Sequence, residues 1–285
     1  MTTPGKKISV FLILTFALSS IFYVQILSSG SIHPYSFGLM WCPGLSAIIT
    51  QLIFQRNLRG LGWKAGKLKY WLWAYGLPIL YGIAVYGIVW STGLGKFAPY
   101  EHVLQAAQQL NIDVKSPAIA TVLYVVINAT LGVAINMTAG LGEEIGWRGL
   151  FVPELSRKFS FTGVALISGT VWAIWHAPAI LFSDYNNAGA PAWFGLICFA
   201  LLVVGSSFAY AWLRLKSGSL WPVVILHGSH NLFIQAIFTP FTENTGPTPY
   251  LIDEFGLGLA LVGLVLAYLF WHKRDDLPSP VPTSD

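Results

Sequence analysis

Apolar runs long enough to cross a bilayer recur along this chain from residue 8 to residue 272. Only 10% of the 285 residues are charged, against about a quarter in a soluble domain. A transmembrane helix needs about 20 mostly apolar residues. Runs and their breakers mark eight candidate spans, near residues 8–28, 38–54, 71–91, 117–145, 162–182, 192–213, 219–239 and 255–272. The sequence therefore predicts an all-α, polytopic integral membrane helix bundle of about eight transmembrane helices.

Residues 1–285 are expected to form a single integral membrane domain, because the runs leave no room for a large water-soluble one. The first run is too long for a signal-peptide core and is interpreted as an uncleaved anchor. The motifs described below lie within about residues 117–240, and the Pro-rich tail, 275–285, is expected to be disordered. Cys42 and Cys198 both fall inside predicted spans and are interpreted as small buried residues.

The distribution of basic residues predicts the orientation. If both termini are cytoplasmic, only Lys96 and Lys115 of the sixteen Lys and Arg residues lie outside, as the positive-inside rule requires. The segment 148–160 mixes apolar and charged residues and is expected to form a short interfacial helix on the same side. The other fourteen basic residues are Lys6, Lys7, Arg56, Arg59, Lys64, Lys67, Lys69, Arg148, Arg157, Lys158, Arg214, Lys216, Lys273 and Arg274.

A pair of adjacent glutamates, Glu143 and Glu144, ends the fourth apolar run. Ionisable groups inside spans are costly and mark candidate functional sites. On a helix, Glu144 and Arg148 are four residues apart and face each other, so Glu144 is expected to be a structural partner. Glu143 is turned by about 100° from its neighbour and is the better candidate for a general base.

Two later spans carry further polar groups at helical spacing. Trp172 and His176 are four residues apart on the fifth span, and His227 and Asn231 repeat that spacing on the seventh. A glutamate beside a histidine can activate water for attack on a carbonyl, and His or Asn donors can stabilise the oxyanion that forms. We therefore expect Glu143 and His176 to hold the water, and His227 with Asn231 to form the oxyanion site.

Zinc is the competing use of the same groups, with Glu143, His176 and His227 as ligands. The ligands would come from three helices, and the spacing is not the His-Glu-x-x-His pattern. Chemistry without a metal or other cofactor is therefore the preferred expectation.

At these residues the chain resembles the CPBP family, which includes type II CAAX prenyl proteases and bacteriocin-processing proteins. The family motifs E-E-x-x-x-R, aromatic-x-x-x-H and H-x-x-x-N/D match residues 143–148, 172–176 and 227–231. The middle motif usually starts with Phe, so Trp172 is a departure. The resemblance implies an integral membrane endopeptidase with Glu143, His176, His227 and Asn231 as catalytic residues and Glu144, Arg148 and Trp172 in support. The family has been described as both metalloproteases and glutamate proteases.

Several expectations about function follow from these observations. The substrate is expected to be a membrane-associated protein or peptide; the lipid bilayer is the other partner, and no nucleic acid is expected. A prokaryotic plasma membrane is the expected location. The reacting centre is expected in the cytoplasmic half of the bilayer, below the basic loops. A proton-coupled transporter and a non-catalytic immunity protein remain alternatives.

Overall fold

Residues 4–186 and 189–278 are described by the computed structural model. Within them, six helices are long and apolar enough to cross a membrane, and helix 257–272 is shorter but apolar. The seventh predicted span, 219–239, coincides with the helical stretch 221–238, and the eighth coincides with helix 257–272. Each predicted span therefore coincides with a helix, and the prediction of an all-α, multi-pass membrane bundle is confirmed.

Nine helices are named in chain order for the described residues. They are α1 Pro4–Ser29, α2 Ser36–Gln55, α3 Leu68–Ser91, α4 Pro99–Gln109, α5 Pro117–Ser156, α6 Phe161–Phe182, α7 Ala192–Ser217, α8 221–238 and α9 Leu257–His272. Two-residue strands, β1 Lys96–Phe97 and β2 Thr242–Glu243, pair antiparallel. Short 3₁₀ turns cover Asp184–Asn186, Thr248–Tyr250 and Arg274–Asp276.

The prediction of a separate interfacial helix at 148–160 is wrong, because most of this segment is part of α5. The chain stays helical through Ser156, and Arg148 and Phe151 are buried rather than at a membrane surface. Two interactions hold this segment inside: Arg148 pairs with Glu144, and Lys7 of α1 bonds Glu154 at 2.8 Å. The charges of the segment thus meet partners within the bundle, which the sequence pattern alone does not reveal.

Small residues allow α2 and α5 to touch backbone to backbone. A Cβ on Gly44 would lie 2.5 Å from the carbonyl oxygen of Gly142, and one on Gly142 would lie 2.7 Å from the carbonyl oxygen of Met40. A side chain at either position would push the helices apart. This close approach fixes the depth and rotation of the part of α5 that carries the two glutamates.

The basic segments of the chain meet at one end of the bundle. Lys7 reaches Gln51, whose amide donates to the carbonyl of Arg59. Arg214 donates to the carbonyl of Gly60, and Lys216 contacts the carbonyl of Asp276. We call this the basic end. Both the start of α1 and the end of α9 therefore lie at one end, as the predicted orientation requires.

The opposite end is formed by α4 and, among the described residues, by the connections 30–35, 183–186, 189–191 and 239–256. The carboxylate of Asp184 accepts hydrogen bonds from the Ser31 hydroxyl and the Ile32 amide, both at 2.7 Å. Helix α4 was not predicted from the sequence. Part of the tail predicted to be disordered, residues 279–285, lies outside the described residues, whereas Arg274–Asp276 forms a turn.

Candidate active site

The two glutamates of α5 have different partners, as the sequence predicted. Glu144 is fully buried, and its Oε1 accepts a 2.9 Å bond from Nη1 of Arg148. Glu143 is 1% exposed and its Oε2 accepts a 2.7 Å bond from Nε1 of Trp172. Arg148 is thus bound to Glu144 and not to Glu143. The α-helix gives way to a π-helical turn, Ile145–Phe151, directly after Glu144, and such turns recur at functional sites.

Glu144 has a second partner that the sequence did not reveal. Nδ1 of His227, on α8, lies 2.9 Å from Oε1 of Glu144 and donates to it. Glu144 therefore joins Arg148 to His227, and the Nε2 atom of His227 remains on the other edge of the ring. Gly140 makes room for this ring, because a Cβ there would lie 3.1 Å from its Cγ.

Trp172 lies at the centre of the site. The guanidinium carbon of Arg148 stacks 4.0 Å from its ring centroid, a cation–π geometry that compensates for lost hydration. The rings of His176 and His227 also lie close to Trp172, with centroids 5.9 and 5.8 Å from the Trp172 ring. The family motif usually has Phe at this position. Trp172 thus supplies both a hydrogen-bond donor to Glu143 and a larger ring.

His176 is oriented by its own helix. Its Nδ1 donates a 2.9 Å bond to the carbonyl of Trp172, one turn earlier. In the neutral ring this leaves Nε2 as a hydrogen-bond acceptor. Phe199 and Trp175 pack against the imidazole, with ring centroids 4.8 and 4.7 Å away. His176 therefore has a fixed ring and one free basic nitrogen.

All four predicted catalytic residues, Glu143, His176, His227 and Asn231, line one cavity of about 240 Å³. Asn231 is half-buried and begins the π-helical part of α8, Asn231–Phe238. The predicted supporting residue Trp172 also lines the cavity, whereas Glu144 and Arg148 lie behind it, buried in the bundle. The structure thus brings together residues of α5, α6 and α8.

The cavity extends toward the end opposite the basic end. Its lining includes Ile32, His33 and Ser36 before and at the start of α2, and Tyr185 and Glu254 from the connections at the same end. His33 is exposed there, at the mouth. The expectation that the reacting centre lies below the basic loops concerns depth rather than the direction of this opening, and it stays a prediction. The fourth span runs on to Ser156, which places Glu143 about 20 Å from that end of its helix.

A second polar cluster on the cavity wall was missed from the sequence. Nε2 of His230 lies 2.8 Å from Oε1 of Glu254, and the Tyr185 hydroxyl donates to Oε2 at 3.1 Å. The Tyr81 hydroxyl meets Nδ1 of His230. Glu254 lies in a connection rather than a span, where a single acidic residue carries no sequence signal.

The connection that carries Glu254 also holds a perturbed carboxyl group. Burial, with the neighbouring Glu254 charge, raises the pKa of Asp253 to about 7. Burial alone would raise the pKa of Glu254, but the hydrogen bond with His230 lowers it below its ordinary value. The two adjacent acids are thus shifted in opposite directions.

The histidines and glutamate of the site do not form a compact ligand set. Among residues 4–186 and 189–278, no three His, Cys, Asp or Glu side chains are grouped closely enough to hold a metal ion. The Nδ1 atoms of His176 and His227 are directed at protein acceptors and leave both Nε2 atoms free, which is also how zinc-ligating histidines are held. The grouping of these side chains therefore gives no support to zinc, and catalysis without a metal stays a prediction.

These features define a multi-pass membrane protein with a polar cavity inside the bundle, and comparison with known proteins shows what part of the chain is similar to. Residues 116–233 match the family described as Type II CAAX prenyl endopeptidase Rce1-like. A similar curated protein is CAAX prenyl protease 2 of Methanococcus maripaludis, 29% identical over 144 residues. That alignment covers 48% of this chain and 50% of the relative, so the chain matches about half the relative's length. The three motifs, at residues 143–148, 172–176 and 227–231, all lie within the matched range, so the comparison supports the resemblance that they carry.

Proposed function

We propose that this protein is an intramembrane endopeptidase that hydrolyses a peptide bond of a membrane-associated protein or peptide. The observation that carries the proposal is that Glu143, free of Arg148, faces the same cavity as His176, His227 and Asn231. The family match and the name of the archaeal relative support the same reaction class.

In this mechanism Glu143 is the general base. It takes a proton from a water held between its carboxylate and Nε2 of His176, and the oxygen attacks the scissile carbonyl. Trp172 keeps the carboxylate in place through its indole N–H. When the tetrahedral intermediate collapses, Glu143 returns the proton to the leaving amine.

His227 and Asn231 are the proposed donors to the oxyanion. Because Nδ1 of His227 donates to Glu144, Nε2 can also donate only when the ring is doubly protonated. The carboxylate of Glu144 favours that charged form, as a carboxylate does beside a catalytic histidine. The side-chain amide of Asn231 supplies the second donor. Glu144 and Arg148 are then supporting residues that act through His227 and Trp172.

The substrate class is proposed from the relative's name and the setting of the site. A protein held at the membrane by a prenylated C-terminal CAAX segment is the first candidate, since the archaeal relative is a CAAX prenyl protease. An unprenylated amphipathic or bacteriocin-type peptide is the second. Both would bring a peptide bond to the polar cavity inside the bundle.

The test uses the purified protein in liposomes with a farnesylated CAAX peptide, and with the same peptide unprenylated. We expect new peptide termini by mass spectrometry, and none with Glu143→Gln. Glu243→Gln is the matched control, because Glu243 pairs with Lys96 on the exposed surface. Cleavage by Glu143→Gln at the wild-type rate would overturn the assignment.

The same cleavage assay with a metal chelator added to the protein tests the zinc alternative. Loss of activity on chelation, restored by zinc alone, would favour the metal-dependent mechanism. Uptake of a solute driven by a proton gradient, with no cleavage of any membrane peptide, would favour a transporter. A folded protein with neither activity would favour the non-catalytic immunity role.

A further inference from the structure

A second groove lies at the basic end, far from the candidate active site. It lies between α3, α7 and α9, encloses about 220 Å³, and is lined by Lys69, Tyr70, Trp73, Leu77, Trp212, Leu213, Lys216, Phe270, Lys273 and Asp276. Helix α9 packs along most of α7 and touches α3 at few points. A gap therefore separates α3 from α9 along the groove.

Three lysines gather over the aromatic floor of this groove. Nζ of Lys273 lies 5.2 Å from the Trp73 ring centroid and 6.0 Å from that of Trp212. Nζ of Lys69 lies 5.1 Å from the Tyr70 ring. Lys216 contacts the main-chain carbonyl of Asp276. Asp276 supplies the acidic side chain among the lining residues, so the three ammonium groups outnumber it.

The groove has the two parts that a phospholipid needs. Its lysines lie near the start of α3, in the last turn of α7 and just beyond the end of α9, at the depth where lipid headgroups meet the bundle. Leu77 and Phe270 continue it along the helices toward the membrane interior. Trp73, on the rim, is 58% exposed, as tryptophan is at membrane interfaces.

We propose that this groove binds one anionic phospholipid, with its phosphate among Lys69, Lys216 and Lys273 and an acyl chain along Leu77 and Phe270. Charge complementarity selects the anionic headgroup, and basic pockets between helices at the cytoplasmic side are suited to such lipids. The site is independent of the proposed peptidase activity, since it shares no lining residue with the catalytic cavity.

Native mass spectrometry of the purified protein in a neutral detergent tests this site. Phosphatidylglycerol and phosphatidylcholine of the same acyl chains are the probes. We expect wild type to retain one phosphatidylglycerol in preference to phosphatidylcholine. The triple variant Lys69→Gln, Lys216→Gln and Lys273→Gln should lose roughly a hundredfold in affinity, at about fivefold for each charge near the surface.

The matched control removes three charges from the same end outside the groove, by Lys64→Gln, Lys67→Gln and Lys158→Gln. It should keep the lipid. Equal loss in both triple variants, or equal retention of phosphatidylcholine, would overturn the proposal. Displacement of phosphatidylglycerol by millimolar inorganic phosphate would make this a free-anion site instead. Leu77→Trp fills the apolar part of the groove and keeps all three lysines. It should also lose phosphatidylglycerol, so it tests the site even if the triple lysine variant does not fold.

Discussion

Nε1 of Trp172 donates a 2.7 Å hydrogen bond to Oε2 of Glu143, between two side chains on neighbouring helices. The bond holds one carboxylate oxygen and leaves Oε1 free to meet a water in the cavity. The same indole ring stacks on Arg148, the partner of the other glutamate. Trp172 therefore sets the position of the proposed base while keeping it apart from the positive charge next to it.

Trp172→Phe should lower kcat by about ten- to a hundredfold with little change in KM, because a bond to a charged acceptor is lost while a ring remains. The measurement is steady-state cleavage in liposomes. Trp90→Phe is the control: its indole donates to the hydroxyl of Thr242, outside the cavity. Equal losses in the two variants would mean that Trp172 only fills space.

Glu144→Gln should destabilise the fold by about 3–5 kcal/mol, because Arg148 and His227 would both lose a buried carboxylate partner. Thermal unfolding in detergent measures the loss. The double variant Glu144→Gln, Arg148→Met should recover part of it, since the uncompensated charge is removed as well. A double variant less stable than the single one would contradict this account of the pair.

Asp253→Asn should flatten the dependence of stability on pH. The pKa of Asp253 is raised to about 7 in the folded protein, so the folded state binds its proton more tightly than the unfolded state does. The protonated Asp253 side chain therefore stabilises the fold fully at a pH below its ordinary pKa, and this stabilisation is lost as the pH rises through 7. Wild type should therefore lose melting temperature between pH 5 and pH 8 by more than Asp253→Asn does. If the melting temperatures of the two proteins fell in parallel with pH, other groups would control the loss of stability.

Single cysteines can establish which side of the membrane the cavity faces. In a background with Cys42 and Cys198 replaced by Ala, an impermeant thiol reagent applied to sealed cells should label Asp113→Cys and not Lys158→Cys. With the basic end inside, Ser36→Cys at the cavity wall should also be labelled from outside, and labelling should block cleavage. Labelling of Lys158→Cys alone would invert the orientation and open the cavity to the cytoplasm.

The positions of the spans and of the motif residues could be predicted because both depend on local periodicity. Apolar length located every long helix, and the four-residue spacing of Glu144 and Arg148 predicted their ion pair. The bond from His227 to Glu144 could not be predicted, because it depends on how α8 packs against α5 through Gly140. Glu254 lies in a connection without periodicity. The burial of 148–156 depends on Lys7, more than a hundred residues away.

The cavity wall has consequences for product release. Its described lining carries the carboxylates of Glu143 and Glu254 and four histidines, but no lysine or arginine. A peptide's free terminal carboxylate would find no permanent positive charge there, so an internal bond is better accommodated than a terminal one. Hydrolysis would also create a new carboxylate directly beside Glu143. The repulsion between these like charges would oppose the attraction of protonated His227 for the new carboxylate, and so favour release of that fragment toward the mouth near His33.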